Sequence, residues 1–527
     1  MQGAPTNGEA HVRRGGRRYG VRSTSWRCAH GDGYRFGRAG AEGPGGPLVR
    51  AAPLRGFHQV SATSTELVAR YWDTEDRALA RRGHTLRHRV AADGTERTWT
   101  LKLSGHGSSS LVAVSSTSTV TTRPRRARRW SSTRGLVGRS PLREIAVVHT
   151  ERTTMTLRDE AEVTVEVADD VVALHPGRGG GPSFREIEVE LVEGDDAVLE
   201  RFAAVLLTSA GGGRPDPTPK LVRVLGVVPA AEPLSSRPKT VAALVAGAIG
   251  LATEQLLAHD PLIRLDAAAE DIHKARVATR RLRSDLKTLE PWCDAFRVEG
   301  LRQELRWLGE LLGNVRDADV LPLTIATRAE QLADVDRDAV AIILARLAED
   351  RRRALAVLRD VMGSARYLGL IADLERLAQQ PPLRPEVDPE LAASKVGRRG
   401  LAHAVGRVRK RIERLPADAG LEPLHEIRKA AKRARYAAEL TSVLSRGRTD
   451  DAADRLADLQ DQLGAMQDAV TAHQWLVGQR WPDADWQVAF TAGRLAQSFA
   501  ADMAVAPTGW RRTWHRATDK HASRWYR

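Results

Sequence analysis

The hydrophobic rhythm of the chain changes near Pro238. Beyond it, apolar residues recur every three to four positions through long runs rich in Ala, Leu, Arg and Glu, the period of amphipathic helices. Before it the runs are shorter and alternate at every second position or are β-rich: Thr85–Val90, Arg97–Leu103, Ala161–Val167 and Phe184–Val192, each bounded by Gly, Asp or Pro. A Pro- and Ser-rich linker over residues 229–237 parts the two regimes. The pattern predicts an α+β protein of two domains: an antiparallel sheet or barrel over 51–228 and an all-helical domain over 238–520. Two tracts interrupt it. Residues 1–50 carry nine arginines among many glycines, against Glu9, Asp32 and Glu42, and are expected to be disordered. Residues 104–140 pass from Ser/Thr repeats to Arg123, Arg125, Arg126, Arg128 and Arg129 and are expected to form an irregular insert.

Composition narrows the partners. Lys and Arg number 81 against 66 Asp and Glu, a net charge of +15, so anionic partners are favoured: nucleic acid, polyphosphate, nucleotides or anionic lipid. Cys28 and Cys293 are the only cysteines, which excludes a disulfide framework or a cysteine-based zinc site and suits a reducing compartment. No window of about 18 consecutive apolar residues is found, and the Arg-rich start has no apolar h-region, so a cytoplasmic protein with neither membrane span nor secretory signal is expected.

The helical half repeats itself. His273 opens HKARVATRRLR and His425 opens HEIRKAAKRAR, 152 residues on (425 − 273). Gly313 and Asp317 of LGNVRDA recur as Gly464 and Asp468 of LGAMQDA, both 151 residues on. Two motifs at nearly one offset predict two related helical bundles about a pseudo-symmetric surface. At about 100° per residue, His273, Arg276, Arg280, Arg283 and Lys287 share one helical face. His425, Arg428, Lys432 and Arg435 share the matching face, where Glu439 replaces the last cation. A third basic helix carries Arg407, Lys410, Arg411 and Arg414. Like charges one turn apart repel, so such stripes gain nothing structurally until an anion joins them. Arginine forks and lysine point charges suit a linear phosphate chain. Neither histidine has a second ligand at i+4, which argues against metal binding there.

The runs HKARVATRRLRSDL, LRWLGELLGNVRDADVL, LHEIRKAAKRARYAAEL and LQDQLGAMQDA resemble the conserved-histidine α-helical domain, CHAD. That resemblance implies inorganic polyphosphate bound by the basic helices, in preference to nucleic acid. The stripes also lack the interleaved aromatics expected for base stacking. Upstream, YWDTEDRALARRGHTLRHR and REIEVEL resemble the CYTH, or triphosphate tunnel, family, which commonly precedes CHAD. The alternation fits a polar-lined tunnel: Arg87 and Arg89 share one strand face, and Glu186, Glu188 and Glu190 share another opposite Ile187, Val189 and Leu191. The resemblance implies that Arg87, Arg89, Lys102, Arg152 and Lys220 hold a triphosphate. It also implies that Glu186, Glu188 and Glu190 hold magnesium or manganese, which would polarise the phosphoryl group for attack by water.

One departure limits this. The family opens with a strand bearing Glu-x-Glu-x-Lys, and residues 1–50 contain no such run. The first strand and the middle strands before Pro141 are therefore expected to be missing, as a shifted reading frame in a GC-rich gene would produce. The reading that follows is a polyphosphate-binding protein with a triphosphatase-like N-terminal domain. An active metal-dependent triphosphatase is the alternative, and a nucleic-acid-binding protein the third.

Overall fold

The computed structural model describes residues 27–30, 33–39, 57–91, 97–104, 111–117, 131–159, 164–174, 183–193, 220–226, 237–265, 267–332, 336–416, 421–481, 486–504, 509–519 and 523–526. They form two units, a sheet and a helical assembly.

The sheet contains β1 (Arg27–His30), β2 (Gly33–Ala39), β3 (Phe57–Asp73), β4 (Thr85–Ala91), β5 (Arg97–Ser104), β6 (Leu111–Thr117), β7 (Arg143–Asp159), β8 (Thr164–Leu174) and β9 (Ser183–Glu193). Their spatial order is β1-β6-β5-β4-β3-β7-β8-β9-β2. The two edges are β1 and β2, which only two residues separate in sequence. His30 and Gly33 are therefore at most about 11 Å apart, and a nine-stranded sheet whose edges meet so closely is rolled. This agrees with the expected tunnel and corrects its expected gaps. Within the tract read as disordered, β1 and β2 are strands, and β2 pairs with β9 where a first strand was thought missing. Within the expected insert, β6 pairs with β5. The remaining parts of both tracts lie largely outside the described residues. The strands β3 and β7, each 17 residues long, escaped the sequence reading, because Thr- and Arg-rich stretches dilute their alternation.

Alternation along the strands sorts side chains cleanly. Val165, Val167, Val189, Met155 and Leu157 are buried on one face. On the other, Ala69, Tyr71, Val148 and Val172 pack with Leu221 and Val224 of the short helix α2 (Lys220–Leu225).

Helices α3 (Val241–Leu265), α4 (Ala269–Leu289), α5 (Ala295–Ala329), α6 (Arg337–Met362), α7 (Ala365–Gln379), α8 (Ala393–Glu413), α9 (Leu421–Ser445), α10 (Asp450–Gln462), α11 (Ala465–Gly478), α12 (Trp486–Ala504) and α13 (Trp510–Ala517) make the helical unit. It also takes in Asp73–Gly83 and the four-residue helix α1 (Arg134–Val137), so parts of the N-terminal half of the chain belong with the helices. Arg82 reaches Glu375 of α7, and Gly135 packs against Asp260 of α3 so closely that a Cβ there would meet the carboxylate at 2.4 Å. By length and mean hydropathy α3 is apolar enough to cross a membrane, although Thr253, Glu254 and Gln255 interrupt its apolar run. Its apolar residues instead serve a core: Leu244, Ile249, Leu256, Leu257 and Ile263 are buried against neighbouring helices.

The repeat is physical. The hairpin α3–α4 recurs as α8–α9, since α8 starts 152 residues after α3 (393 − 241). The two copies also join reciprocally. Val241 N–H donates to Leu391 O at 2.8 Å and Ala393 N–H donates to Lys239 O at 2.9 Å, around an antiparallel bridge between Thr240 and Ala392. Each of these bonds is the other displaced by the repeat length, which is what a local dyad produces. Copy two differs at one point: where α5 runs unbroken through Gly313, the chain breaks between α10 and α11 at Gly464.

Candidate functional site

On α4, Ile272, Ala275, Ala278, Leu282, Leu286 and Leu289 are buried and set the orientation of the helix. His273, Arg276, Arg280, Arg283 and Lys287 consequently fall on its half-buried flank. On α9 the same logic buries Leu424, Ile427, Ala431, Ala434 and Ala438 and leaves His425, Arg428, Lys432 and Arg435 half-buried. The helices pack together, and their cations converge.

The convergence shows in the electrostatics. Burial, and then the charges of Arg280, Arg428, Arg276 and Arg435, push the Lys432 ammonium down to about 7. Burial holds Arg428 and Arg276 below the usual guanidinium range, with Arg280 adding to the repulsion on both and Arg316 on Arg276. The His273 imidazole is lowered by burial and by Arg316, with Glu270 opposing and Arg280 and Arg276 adding to the fall. Anionic relief is sparse. Asp317 lies 3.6 Å from Arg276, and Asp468 acts on Arg428. Asp317 is itself raised by burial and by Asp468, so the two repeated aspartates face each other across the copies. Arg280 is anchored by donating Nε–H to the Tyr436 hydroxyl at 2.9 Å, beneath a cation–π contact.

The repeated glycines explain themselves here. The Arg276 guanidinium lies on Gly313, its Nε 3.5 Å from where a Cβ would stand. Arg428 lies likewise on Gly464, where a Cβ would also meet the Gln460 carbonyl at 2.9 Å. Glycine thus opens a seat for each arginine on the neighbouring helix. Asp317 and Asp468 act as partners of these seated arginines, and Asp468 lies in the first turn of α11.

The predicted set divides. Arg283 turns toward Arg302, Arg306 and Arg433, and Arg433 toward Arg407 and Arg411, forming a second cluster. Lys410 and Arg414 are exposed, outside both clusters. Lys287 is paired with Glu290 at 2.5 Å. Glu439 closes the second stripe, holding Arg435 at 3.2 Å and Arg281 at 3.5 Å. The sequence reading missed Arg302, Arg316, Arg433 and Tyr436; Arg316 stands inside the repeated LGNVRDA run, and its position next to Asp317 was the available signal.

On the sheet, pairing aligns Arg152, Asp170 and Glu186 in one cross-strand row. Arg152 grips Asp170 through Nε and Nη2, both at 2.7 Å, and reaches Glu188 at 2.5 Å. Lys220 extends from α2 into the same carboxylates: it pairs with Asp170 and lies 3.5 Å from Glu186 and 3.7 Å from Glu188. Arg223 stands 3.7 Å from Glu186. Arg87, Arg89 and Lys102 share the strand face carrying Thr85, Thr98 and Thr100, and Arg87 pairs across from Tyr71. The Arg87 Nε is buried without a hydrogen-bond partner. Of the expected carboxylate trio, Glu186 and Glu188 converge while Glu190 is exposed, and Asp170 takes its place. Asp170 was missed because the predicted strand ended at Val167.

Carboxylate oxygens are the donors that magnesium or manganese requires, and a divalent metal is in keeping with a CYTH domain. As arranged here, however, Asp170, Glu186 and Glu188 are engaged by Arg152, Lys220 and Arg223, and no metal-holding group of three acidic, His or Cys residues is found among the described residues. The strand β2, opposite the glutamates, contributes Gly33, Arg35 and Gly37 at register positions facing Glu190, Glu188 and Glu186, with no carboxylate among them. These residues do not fit a metal site in this state.

The CYTH domain family matches residues 47–222 and the CHAD domain family residues 247–477. An uncharacterized Mycobacterium tuberculosis protein, Rv2226, is 30% identical over 440 residues, spanning 79% of this chain and 82% of that protein. Among solved structures, PptA from Streptomyces chartreusis is 23% identical, covering 53% of this chain and 99% of its own, at a TM-score of 0.44. The CHAD domain from the plant Ricinus communis is 25% identical, covering 54% and 95%, also at 0.44. With a CYTH domain followed by a CHAD domain, in that order and over most of its length, the chain belongs to the CYTH–CHAD proteins.

Proposed function

We propose that the protein binds inorganic polyphosphate along the cationic seam between α4 and α9. One observation carries the reading: Arg276, Arg280 and Arg428 converge on the half-buried Lys432, which burial first and then their charges push down to about 7, with Asp317 and Asp468 the chief carboxylates nearby. Holding such cations together costs free energy in the free protein, and a chain with one negative charge per phosphate offsets that cost at every link. His273 and His425 flank the seam, each able to donate a ring N–H to a phosphate oxygen. The test is titration of the full chain with long-chain polyphosphate at stated salt. Replacing both Arg276 and Arg280 by Ala is expected to weaken binding by about 2–4 kcal/mol, at roughly 1.5–3 for each charge-assisted bond and with less than full additivity. Unchanged affinity in a folded variant would remove the seam from the binding site. Nucleic acid is the competing ligand, and failure of polyphosphate to displace it at fixed salt would favour that reading instead.

A second reading concerns the sheet. The buried, unpartnered Arg87 Nε, on a face shared with Arg89 and Lys102, favours a triphosphate inside the tunnel. Phosphate release from tripolyphosphate with magnesium or manganese, lost on Glu188→Gln, would make the domain an enzyme. Absence of release would leave it a binding domain. In either case Arg152 and Lys220 are the cations nearest the carboxylates. The expected setting is the cytoplasm, in association with polyphosphate.

A further inference from the structure

Beside the seam, α4, α8 and α9 enclose a separate cleft of about 640 Å³. Ser284, Gly400, Ala430 and Trp292 line it, together with the cations Arg399, Arg407 and Arg433. The close approach of α8 to α4 depends on Gly400, where a Cβ would meet Thr288 Cγ2 at 2.7 Å. Lys287 also lines the cleft, but Glu290 holds it, so the free positive charge belongs to the arginines. Among the lining residues, Ser284 is 9% exposed and its Oγ is buried with no hydrogen-bond partner. A buried hydroxyl left unsatisfied is costly, and it marks where a polar ligand atom would sit.

We propose that this cleft binds a phosphorylated organic molecule with a planar ring, of the nucleotide class. Its phosphates lie on Arg407 and Arg433, its ring lies against Trp292, and a polar atom of its body meets Ser284 Oγ. An inorganic phosphate chain has no carbon, so it gains nothing from the apolar residues among the lining, Trp292, Pro291, Ala404 and Ala430. A volume within the roughly 300–1,000 Å³ of small-molecule sites likewise exceeds what a single phosphate fills. The crowding that burial and Arg407 and Arg411 impose on Arg433, with Glu426 as the opposing charge, supplies the electrostatic demand for an anion there. This site is independent of the polyphosphate seam, since its residues lie on the second cluster.

The experiment is equilibrium binding of ATP and of tripolyphosphate to the full chain at one ionic strength without added metal. ATP is expected to bind more tightly than tripolyphosphate at this site. Trp292→Ala should weaken ATP by about tenfold or more and leave tripolyphosphate unchanged, the size expected for losing one base–aromatic contact. Ala404→Phe, which would fill the cleft from α8, should do the same, and serves if Trp292→Ala loses its helical circular dichroism. The variant lacking Arg276 and Arg280 should keep its ATP affinity. The proposal is overturned if both cleft variants leave ATP affinity unchanged, if they weaken the two ligands equally, or if loss of Arg276 and Arg280 abolishes ATP binding, which would place ATP in the seam.

Discussion

Lys432 offers a readout that ligand charge controls directly. In the free protein its ammonium is pushed down to about 7 by burial and by Arg280, Arg428, Arg276 and Arg435. An amine depressed from about 10.4 binds fewer protons folded than unfolded between those two values, so stability of the free protein rises with pH across that window and is penalised below it. A polyphosphate chain laid over the same cations reverses the local field and returns Lys432 toward its ordinary value. Binding at pH 8 must then take up a proton, and affinity must fall as pH climbs from 7 toward the bound-state value. Each pH unit inside the window costs up to tenfold, about 1.4 kcal/mol, so the loss between pH 7 and 9 reaches at most about 100-fold. Calorimetry with long-chain polyphosphate, whose internal phosphates do not titrate here, in buffers of differing ionisation enthalpy measures the proton count. Lys432→Arg should keep tight binding while flattening the pH profile, because a guanidinium stays charged throughout. Lys432→Gln should flatten the profile and weaken binding. A wild-type protein that takes up no proton, or a Lys432→Arg variant with the same slope, would refute the reasoning.

Three other perturbations probe neighbouring features. Full burial pushes the Asp285 carboxyl up to about 7, with Arg281 at 3.9 Å opposing and Glu439 adding to the rise. A carboxyl raised from about 3.9 contributes stability that is complete at low pH and is lost as pH climbs through 7, by roughly 4 kcal/mol. Thermal melts of Asp285→Asn should lack that decline, and an identical pH slope in both proteins would exclude Asp285 as its source. At Gly464, substitution by Ala drives a Cβ against the Gln460 carbonyl and the seat of Arg428. Chemical denaturation should show a loss of about 1–3 kcal/mol together with weaker polyphosphate binding, and unchanged values for both would show that the seat is not needed. In the sheet, Lys220→Ala removes the ammonium from among Asp170, Glu186 and Glu188. Stability should drop by about 3–5 kcal/mol and be partly restored by manganese, read as a rise in Tm absent from wild type. No such rise would mean that those carboxylates cannot take a metal even when released.

Much of the helical unit was legible because its signal is long-range and redundant. Periodicity marked α4 and α9, and the offset between His273 and His425 already implied that their faces are counterparts. What periodicity could not convey is which cations meet. Arg283 and Arg433 leave the seam because α8 lies on that side of α4, a packing outcome that the sequence of neither helix records. In the sheet, the alternation of Glu186, Glu188 and Glu190 placed them on one face, but strand register decided that Asp170 lies beside Glu186 and that Glu190 stays exposed. The strands β3 and β7 were obscured because polar residues occupy positions on both of their faces. Lys220 shows the limit most clearly: a lysine on a six-residue helix reads as an ordinary charge until tertiary structure buries it among three carboxylates.

The reciprocal bonds joining Val241 to Leu391 and Ala393 to Lys239 mark an axis through the helical unit. A surface built about such an axis offers nearly the same sequence of contacts from either end. A linear chain of identical phosphates is palindromic, having no head or tail, and can thread such a surface in both orientations, which doubles its productive encounters. A nucleic acid strand has a 5′ and a 3′ end, and a two-faced surface cannot satisfy its polarity twice. The places where the copies diverge, Glu439 in place of Lys287 and the helix break at Gly464, are then where any preferred direction of threading would be imposed.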